Sequence, residues 1–215
     1  MSPFKPFATV FAACAALGLS ACAGGAYTGP VEVTRFVAEQ TPGLGEGTIA
    51  LRFSEELKNE AALDAFRGAI SDELSLLGYT VIDNEETADQ IASVSTSRNA
   101  LAQGQQQNPV NVGVGGSTGT YGSGLGVGVG INLGGMGQKS PRVVSQLSVA
   151  IAANSSDPNR QNLWEARASF PTSVDSPYAP VEVNARALAG AVFEDFPGGN
   201  GETVSIDVAE LMEQE

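Results

Sequence analysis

One cysteine stands in a pattern that permits covalent modification. Cys22 ends the sequence Leu19-Ser20-Ala21-Cys22, in which small residues precede a thiol. This resembles the bacterial lipobox, where a lipid is joined through a thioether and small residues fit the peptidase cleft. Before it, Lys5 and an apolar run over 7–19 have the organisation of a secretory signal. The sequence predicts a signal peptide over 1–21 and lipid attachment at Cys22, and an ordinary signal peptide with an incidental cysteine is the alternative.

The remaining residues offer little for catalysis. The chain has no histidine, and its other cysteine, Cys14, lies within the predicted signal. Because histidine and cysteine are the most common metal ligands and histidine the most common general base, no Ser-His-Asp, Cys-His or thiolate–zinc site can form. A carboxylate pair or a Ser-Lys dyad remains possible, but no reactive pair stands out. We therefore expect no enzymatic activity, no cofactor and no metal site.

The charge balance restricts the possible partners. The chain has 24 acidic and 11 basic residues and a net charge of −13. An acidic protein without a basic cluster is poorly suited to nucleic acid or to anionic headgroups. The run at 7–19 is shorter than a typical membrane span, and none of the apolar runs that follow it is longer. The sequence predicts a single domain over 31–215, attached to the membrane by its lipid through a flexible tether over 22–30.

Two hydrophobic periods indicate the elements of this domain. Leu63, Phe66, Ile70, Leu74 and Leu77 share one face of a helix predicted over 59–77, with Asn59 as N-cap and Gly78 as the stop. A second helix is predicted from Pro180, with an apolar stripe that reaches Phe196, and Pro197-Gly198-Gly199 ends it. Alternation of apolar and polar residues predicts the strands, which are 31–36, 48–53, 79–83, 89–98, 143–153, 163–170 and 203–208.

These elements predict an α+β fold in which a single mixed or antiparallel sheet has two helices packed on one face. The strands at 143–153 and 163–170 are expected to form an antiparallel hairpin with one buried face. Four aromatic residues are expected in the core and not in a binding site: Phe66, Trp164, Phe170 and Phe196.

A glycine-rich insertion over 99–141 interrupts the domain. Residues 99–138 contain no charged side chain, and 110–133 alternate aliphatic residues with glycine and asparagine. No phosphate-binding glycine motif occurs there, and glycine disfavours a helix of the glycine-zipper kind. The alternation favours a two-stranded hairpin over 110–133 that contacts a protein partner or a second copy of the chain. A disordered loop is the alternative.

Four stretches carry a resemblance to a known family. They are Gly29-Pro30-Val31-Glu32-Val33-Thr34-Arg35-Phe36, the glycine-rich 112–124, Leu163-Trp164-Glu165-Ala166-Arg167-Ala168 and Phe196-Pro197-Gly198. In this order they resemble the alphaproteobacterial branch of the lipoproteins of domain of unknown function 4136. The resemblance covers nearly the whole mature chain. It implies a periplasm-facing lipoprotein domain of mixed α and β structure, and no activity, substrate or catalytic residue comes with it.

The functional expectation is a non-catalytic lipoprotein of the cell envelope. It would be anchored through Cys22, with Ala23 after the anchor favouring the periplasmic face of the outer membrane, and would act through its surface in assembly, structure or transport. The alternative is a carrier that binds an apolar envelope ligand between the sheet and the helices. The sequence does not identify a partner.

Overall fold

The computed structural model describes residues 26–55, 57, 59–101, 141–156 and 161–213. They form a mixed α+β fold with one open sheet of seven strands and three helices, which confirms the predicted fold class. The elements in chain order are β1 Val31–Val37, β2 Thr48–Phe53, α1 Glu60–Leu76, β3 Thr80–Val81, β4 Gln90–Leu101, β5 Arg142–Ala153, β6 Asn162–Ser173, α2 Val181–Phe193, β7 Thr203–Ile206 and α3 Val208–Glu213.

The sheet has the strand order β3-β2-β4-β5-β6-β1-β7. Strand β2 is parallel to β3 and β4, and every other pair is antiparallel. The three central strands, β4, β5 and β6, have 12 residues each, whereas β2 pairs only with Gln90–Val94 of β4. The central strands therefore extend past β2. We call the end where β4 finishes and β5 begins, at Leu101 and Arg142, the upper end of the sheet.

Helix α1 follows the local signals of its sequence. The Asn59 side chain accepts a hydrogen bond from the Ala62 N–H at 3.0 Å, as an N-cap does, and Gly78 follows the helix with a φ of +104°. Phe66, Ile70 and Leu74 are buried, so the predicted apolar stripe faces the core.

Helix α2 ends earlier than the sequence predicts. The predicted stripe continues to Phe196, but the helix stops at Phe193, and Asp195 has a left-handed φ of 53°. Phe196 lies in the turn after the helix and still contacts the core, with its ring centroid 5.0 Å from that of Trp164. Nearly every residue from Ala185 to Phe193 is buried, because α2 contacts α1, α3 and the strands β1, β5 and β6.

The β5–β6 hairpin has the predicted faces. Val149 pairs with Ala166 and Leu147 with Ala168, and all four side chains are buried beneath the helices. Both long helices join the same core as this face of the sheet, which confirms that they pack on one side.

Several predicted strand boundaries differ from the structure, and β6 continues to Ser173, past the predicted end at 170. Strand β4 continues to Leu101, past the predicted start of the insertion at 99, because it stays paired with β5. Strand β3 is limited to Thr80–Val81. The predicted strand at 203–208 ends at Ile206, since the Asp207 side chain accepts a hydrogen bond from the Ala209 N–H at 2.8 Å and begins α3, a helix that the sequence analysis did not predict.

Candidate functional site

Two sequence-predicted features lie outside the described residues. They are the lipid attachment residue Cys22 and the hairpin over 110–133, together with the family stretch at 112–124. The other three family stretches are described, and their side chains meet at one place in the fold.

Trp164 is the centre of this meeting point, which we call the Trp164 corner (Arg35, Trp164, Phe193 and 196–198). The Trp164 ring is fully buried and stacks on Phe193 with centroids 5.4 Å apart and planes inclined by 14°. Its Nε1–H donates a hydrogen bond to the carbonyl oxygen of Pro197 at 2.9 Å. The stretch at 163–168 is therefore joined directly to the stretch at 196–198, and the expectation that Trp164 belongs to the core is confirmed.

Arg35 connects the third stretch to the same corner. It is 5% exposed, and its guanidinium donates to the carbonyl oxygens of Ala191 at 2.9 Å and Val192 at 3.3 Å. These carbonyls belong to the last turn of α2, where no later helical N–H is available and the helix dipole favours a cation. Burial lowers the pKa of Arg35, and nearby carboxylates, with Glu194 first among them, oppose that shift.

Gly198 fits closely against Arg35. Gly198 has a φ of +75°, and a Cβ at that position would lie 2.7 Å from Arg35 Cδ. The contacts of the Trp164 corner satisfy buried polar groups and fill space. They present no reacting group to solvent, so this corner is a structural element and not a binding or catalytic site.

A second buried polar group ties the loop after β1 to the sheet. Tyr79 Oη accepts a hydrogen bond from the Gly45 N–H at 2.7 Å and donates to Gln90 Oε1 at 3.0 Å. Gln90 Nε2 donates to the Gly43 carbonyl oxygen at 2.6 Å. Burial raises the pKa of Tyr79, which disfavours the phenolate. The hydrogen-bond partners of this tyrosine are all internal, so its role is also structural.

Asp89 fixes the start of β4 to the start of β2. Its Oδ2 accepts hydrogen bonds from Thr48 Oγ1 at 2.6 Å and from the Thr48 N–H at 2.9 Å. These bonds lower the pKa of the exposed Asp89 carboxyl, because they stabilise its charged form. A carboxylate held charged by a neighbouring hydroxyl is not suited to act as a general acid or base near neutral pH.

The face of the sheet opposite the two long helices, which we call the open face, carries exposed polar side chains. The register places small polar side chains side by side on it, since Ser95 lies opposite Ser148 and Ser97 opposite Gln146. Ser93, Ser95 and Ser97 are exposed. Its lower corner is covered, because Ala50 and Ile91 pack there with Ala88 and Ile82.

A shallow depression of about 290 Å³ lies on the open face. Its floor is made by small side chains of β4 and β5, and charged side chains of β2 and β6 stand on opposite sides of it. The residues that line it include Arg52, Ser93, Ser95, Ser148, Ala150 and Glu165. One row of the sheet crosses it, because Ser93 pairs with both Arg52 and Ala150, and Ala150 pairs with Glu165.

Both charged sides of the depression are held in ion pairs. Arg52 Nη2 lies 2.6 Å from Glu85 Oε2, and Arg167 Nη2 lies 2.6 Å from Glu165 Oε1. All four side chains are partly exposed, so the pairs contribute little to stability and set the shape and polarity of the surface. Hydroxyl groups on a flat floor can exchange hydrogen bonds with a partner, and the opposite charges at the sides can orient it.

The described part of the chain holds no cluster of three or more acidic, histidine or cysteine side chains that could bind a metal ion. Within the same residues, no helix has both the length and the apolar character to cross a membrane. The exposed hydroxyls and ion pairs of the open face are able to form hydrogen bonds and charge contacts with another molecule. The sequence analysis did not identify this face, although the serine residues alternating in 91–97 were a usable signal.

Comparison with known proteins identifies structural neighbours at low similarity. No family model and no curated protein matches the chain. A PDZ domain protein from Parabacteroides distasonis has 16% identity and a TM-score of 0.47, over 83% of this chain, which spans only 39% of that protein's chain. A PelC dodecamer from Paraburkholderia phytofirmans has 10% identity and a TM-score of 0.35, covering 74% of this chain and 97% of that one.

A DUF4136 family protein from Bacteroides thetaiotaomicron is also among the structural neighbours. It has 12% identity and a TM-score of 0.34, over 79% of this chain and 97% of that one. At these values the similarity does not by itself establish membership of a family.

Proposed function

We propose that this chain is a non-catalytic lipoprotein of the bacterial envelope, anchored through Cys22 and acting by surface contacts in assembly, structure or transport. The observation that carries the proposal is the lipobox pattern at 19–22 directly after an apolar signal run. Its position supports the proposal, because the first strand, β1, begins nine residues later, at Val31. The sequence also lacks histidine, which leaves few routes to catalysis.

The open face supports a role in binding a protein. It combines exposed hydroxyls on β4 and β5 with a depression between Arg52 and Glu165. A protein partner can match such a surface with hydrogen bonds and opposite charges, which give specificity more than affinity. The glycine-rich residues 110–133 are a second proposed contact, with a protein or with another copy of this chain.

The carrier hypothesis receives less support from the packing. An apolar ligand between sheet and helices needs an apolar cavity there. In the described residues that region is occupied by Trp164, Phe193 and the alanine-rich α2, whose residues are buried. The depression of the open face lies on the other side of the sheet and has serine residues on its floor.

We also propose membership of the family of domain of unknown function 4136, in its alphaproteobacterial branch. The support is the order of the sequence stretches at 29–36, 112–124, 163–168 and 196–198. The location proposed is the periplasmic face of the outer membrane, since Ala23 and not an aspartate follows the anchor.

The anchor is tested by one substitution and a matched control. Cys22→Ser should abolish incorporation of labelled palmitate and leave the full-length precursor, because serine has no thiol for the thioether. Cys14→Ser changes the other cysteine, within the signal run, and should be lipidated and processed like the wild type. If Cys22→Ser is processed normally and fractionates with membranes like the wild type, the anchor assignment is wrong.

The contact role of the open face is tested by site-specific photocrosslinking in cells. A photoreactive amino acid at Ser95, on the exposed floor of the depression, should give discrete crosslinked products. The same group at Asp72, which is exposed on α1, serves as the control for accidental contact. Equal crosslinking at both positions, or none at Ser95 with the anchored protein, would refute a specific role for the open face.

A further inference from the structure

The first described residues run along β6 toward the upper end of the sheet. The Gly29 N–H donates to the Pro171 carbonyl oxygen at 2.9 Å, and Thr28 forms an antiparallel bridge with Thr172. Tyr27 comes next, and its carbonyl oxygen accepts a hydrogen bond from the Ser173 N–H at 2.8 Å. This pairing continues the antiparallel direction of β1, so the chain that precedes Tyr27 leaves the sheet at its upper end.

The glycine-rich insertion leaves the sheet at the same end. Leu101, the last residue of β4, pairs with Arg142, the first residue of β5, and Arg142 pairs with Ser173 of β6. The guanidinium carbon of Arg142 lies 4.2 Å from the centre of the Tyr27 ring. Tyr27 is therefore in direct contact with the residue that follows the insertion.

This contact places the proposed anchor close to the insertion. Five peptide units separate Cys22 from Tyr27, and an extended chain spans at most ~3.6 Å per residue, or roughly 18 Å. Cys22 is therefore within about 18 Å of Tyr27, wherever residues 22–26 run. A lipid on Cys22 holds the bilayer next to the upper end of the sheet. The opposite end, where β6 begins next to Trp164, is the lower end, and it then lies far from the bilayer.

The described residues at the upper end differ in composition from the acidic chain as a whole. Leu101 is 37% exposed and Val174 is 51% exposed, and they are two of the four exposed large apolar side chains of the described residues, the others being Phe36 and Leu76. The ranges 98–101, 141–145 and 171–174 contain Arg98 and Arg142 and no carboxylate, and the next acidic residue is Asp175. Tyrosine, arginine and exposed aliphatic side chains are the types that occupy a membrane–water interface.

We propose that the upper end of the sheet, formed by Tyr27, Leu101, Arg142 and Val174, is a membrane-contact surface that rests on the headgroup layer of the bilayer. This inference depends on the lipid at Cys22 proposed above and adds an orientation to it. The central strands then point toward the membrane, and the open face stands at its side, accessible to a protein partner.

The orientation is tested with the full lipidated protein in vesicles of phosphatidylethanolamine and phosphatidylglycerol that contain a nitroxide-headgroup lipid. Because Cys14 is removed with the predicted signal and Cys22 is a thioether, one introduced cysteine is the only free thiol. Val174→Cys places a fluorophore at the upper end, and Gln40→Cys, exposed after β1, places the matched control at the lower end. Ala38, two residues before Gln40, donates a hydrogen bond to the Leu163 carbonyl oxygen, and the eleven residue steps from Leu163 to Val174 span ~36 Å.

We expect the nitroxide lipid to quench the Val174→Cys label at least severalfold more strongly than the Gln40→Cys label. Equal quenching, or stronger quenching at position 40, overturns the proposal. A signal at position 174 that depends on protein density and not on nitroxide indicates a second copy at this end, and it overturns the proposal as well. If Val174→Cys does not fold, Leu101→Cys takes its place.

The failure of this inference can be distinguished from the failure of the proposed anchor. Vesicle flotation and the mass of the N-terminal peptide report the lipid on Cys22 independently of the fluorophore. A lipidated, floating protein with the wrong quenching pattern refutes the orientation and leaves the anchor intact. A protein without lipid refutes the anchor, and the proposed orientation falls with it.

Discussion

Replacement of Trp164 by alanine is the most direct test of how the sheet and α2 are held together. The Trp164 side chain is fully buried, stacks on Phe193, contacts Phe196, and donates a hydrogen bond to the Pro197 carbonyl oxygen. Its neighbour Glu165 points to the open face and forms a partly exposed ion pair with Arg167. The two adjacent residues therefore form a matched pair with opposite expected effects.

The magnitude follows from these contacts. Truncation of a buried tryptophan to alanine costs ~3–5 kcal/mol, and loss of the Nε1–H adds ~1 kcal/mol or more if the Pro197 oxygen stays buried without a donor. Domains are stable by only ~5–15 kcal/mol, so Trp164→Ala should remove a large share of the total. Trp164→Phe keeps an aromatic ring and loses the donor, which should cost about 1–2 kcal/mol. Glu165→Ala removes a surface ion pair and should cost less than ~1 kcal/mol.

The assay is urea unfolding of the mature chain carrying Cys22→Ser, followed by far-ultraviolet circular dichroism. Fluorescence is unsuitable because Trp164 is the only tryptophan of the protein. We expect the order of midpoints to be wild type, then Glu165→Ala, then Trp164→Phe, then Trp164→Ala. Comparable midpoints for Trp164→Ala and Glu165→Ala would refute both the register of β6 and the argument from burial.

Three further predictions concern a glycine, a carboxylate and the insertion. Gly198→Ala should destabilise the domain by more than ~1 kcal/mol, because φ is positive at this position and the new Cβ would clash with Arg35. The control is Gly68→Ala in α1, where a Cβ would meet no neighbouring atom, and it should stabilise the helix by up to ~1 kcal/mol in the same assay. The pKa of Asp89 is lowered in the folded protein, so its carboxylate stabilises the fold above about pH 3.9, and this stabilisation is lost as the pH falls through the folded-state pKa. The difference in urea midpoint between the wild type and Asp89→Asn should therefore narrow between about pH 5 and pH 2. A difference that stays constant over this range would contradict the prediction. If 110–133 contact a partner, their deletion should leave the circular dichroism and the urea midpoint unchanged and should abolish crosslinks to partners. Unfolding of the deletion variant would show that the segment belongs to the core, and unchanged stability and association would favour a loop without a contact role.

The elements that the sequence predicts well are those fixed by neighbours along the chain. Helix α1 has its period, its N-cap Asn59 and its stop Gly78 within one short stretch. The β5–β6 hairpin joins strands adjacent in sequence, so its alternation alone predicts the buried face. Neither prediction needs knowledge of distant residues.

The elements that were missed depend on distant contacts or on a competing local signal. Arg35 occupies the same phase of β1 as Val31 and Val33, but its burial was not predicted, because its partners at the end of α2 are more than 150 residues away. Phe196 follows Val192 at helical spacing and still lies in a turn, because α2 ends before it and its ring packs on Trp164. The capping side chain of Asp207 was a local signal for the start of α3, but the alternation over 203–208 predicted a strand there instead.

The convergence of the family stretches has a consequence for the search for function. Three of the stretches that carry the resemblance meet at the Trp164 corner, where Arg35 caps the last turn of α2 and Trp164 binds the Pro197 carbonyl. Each contact is buried and satisfies packing or backbone hydrogen bonds, so these residues are required to form the fold whatever the protein does. Sequence similarity to another protein at these residues therefore indicates a shared fold and does not indicate a shared activity. The residues able to distinguish one partner from another are those free of this requirement, such as Ser95 on the open face, and substitutions there should change binding while the unfolding midpoint stays constant.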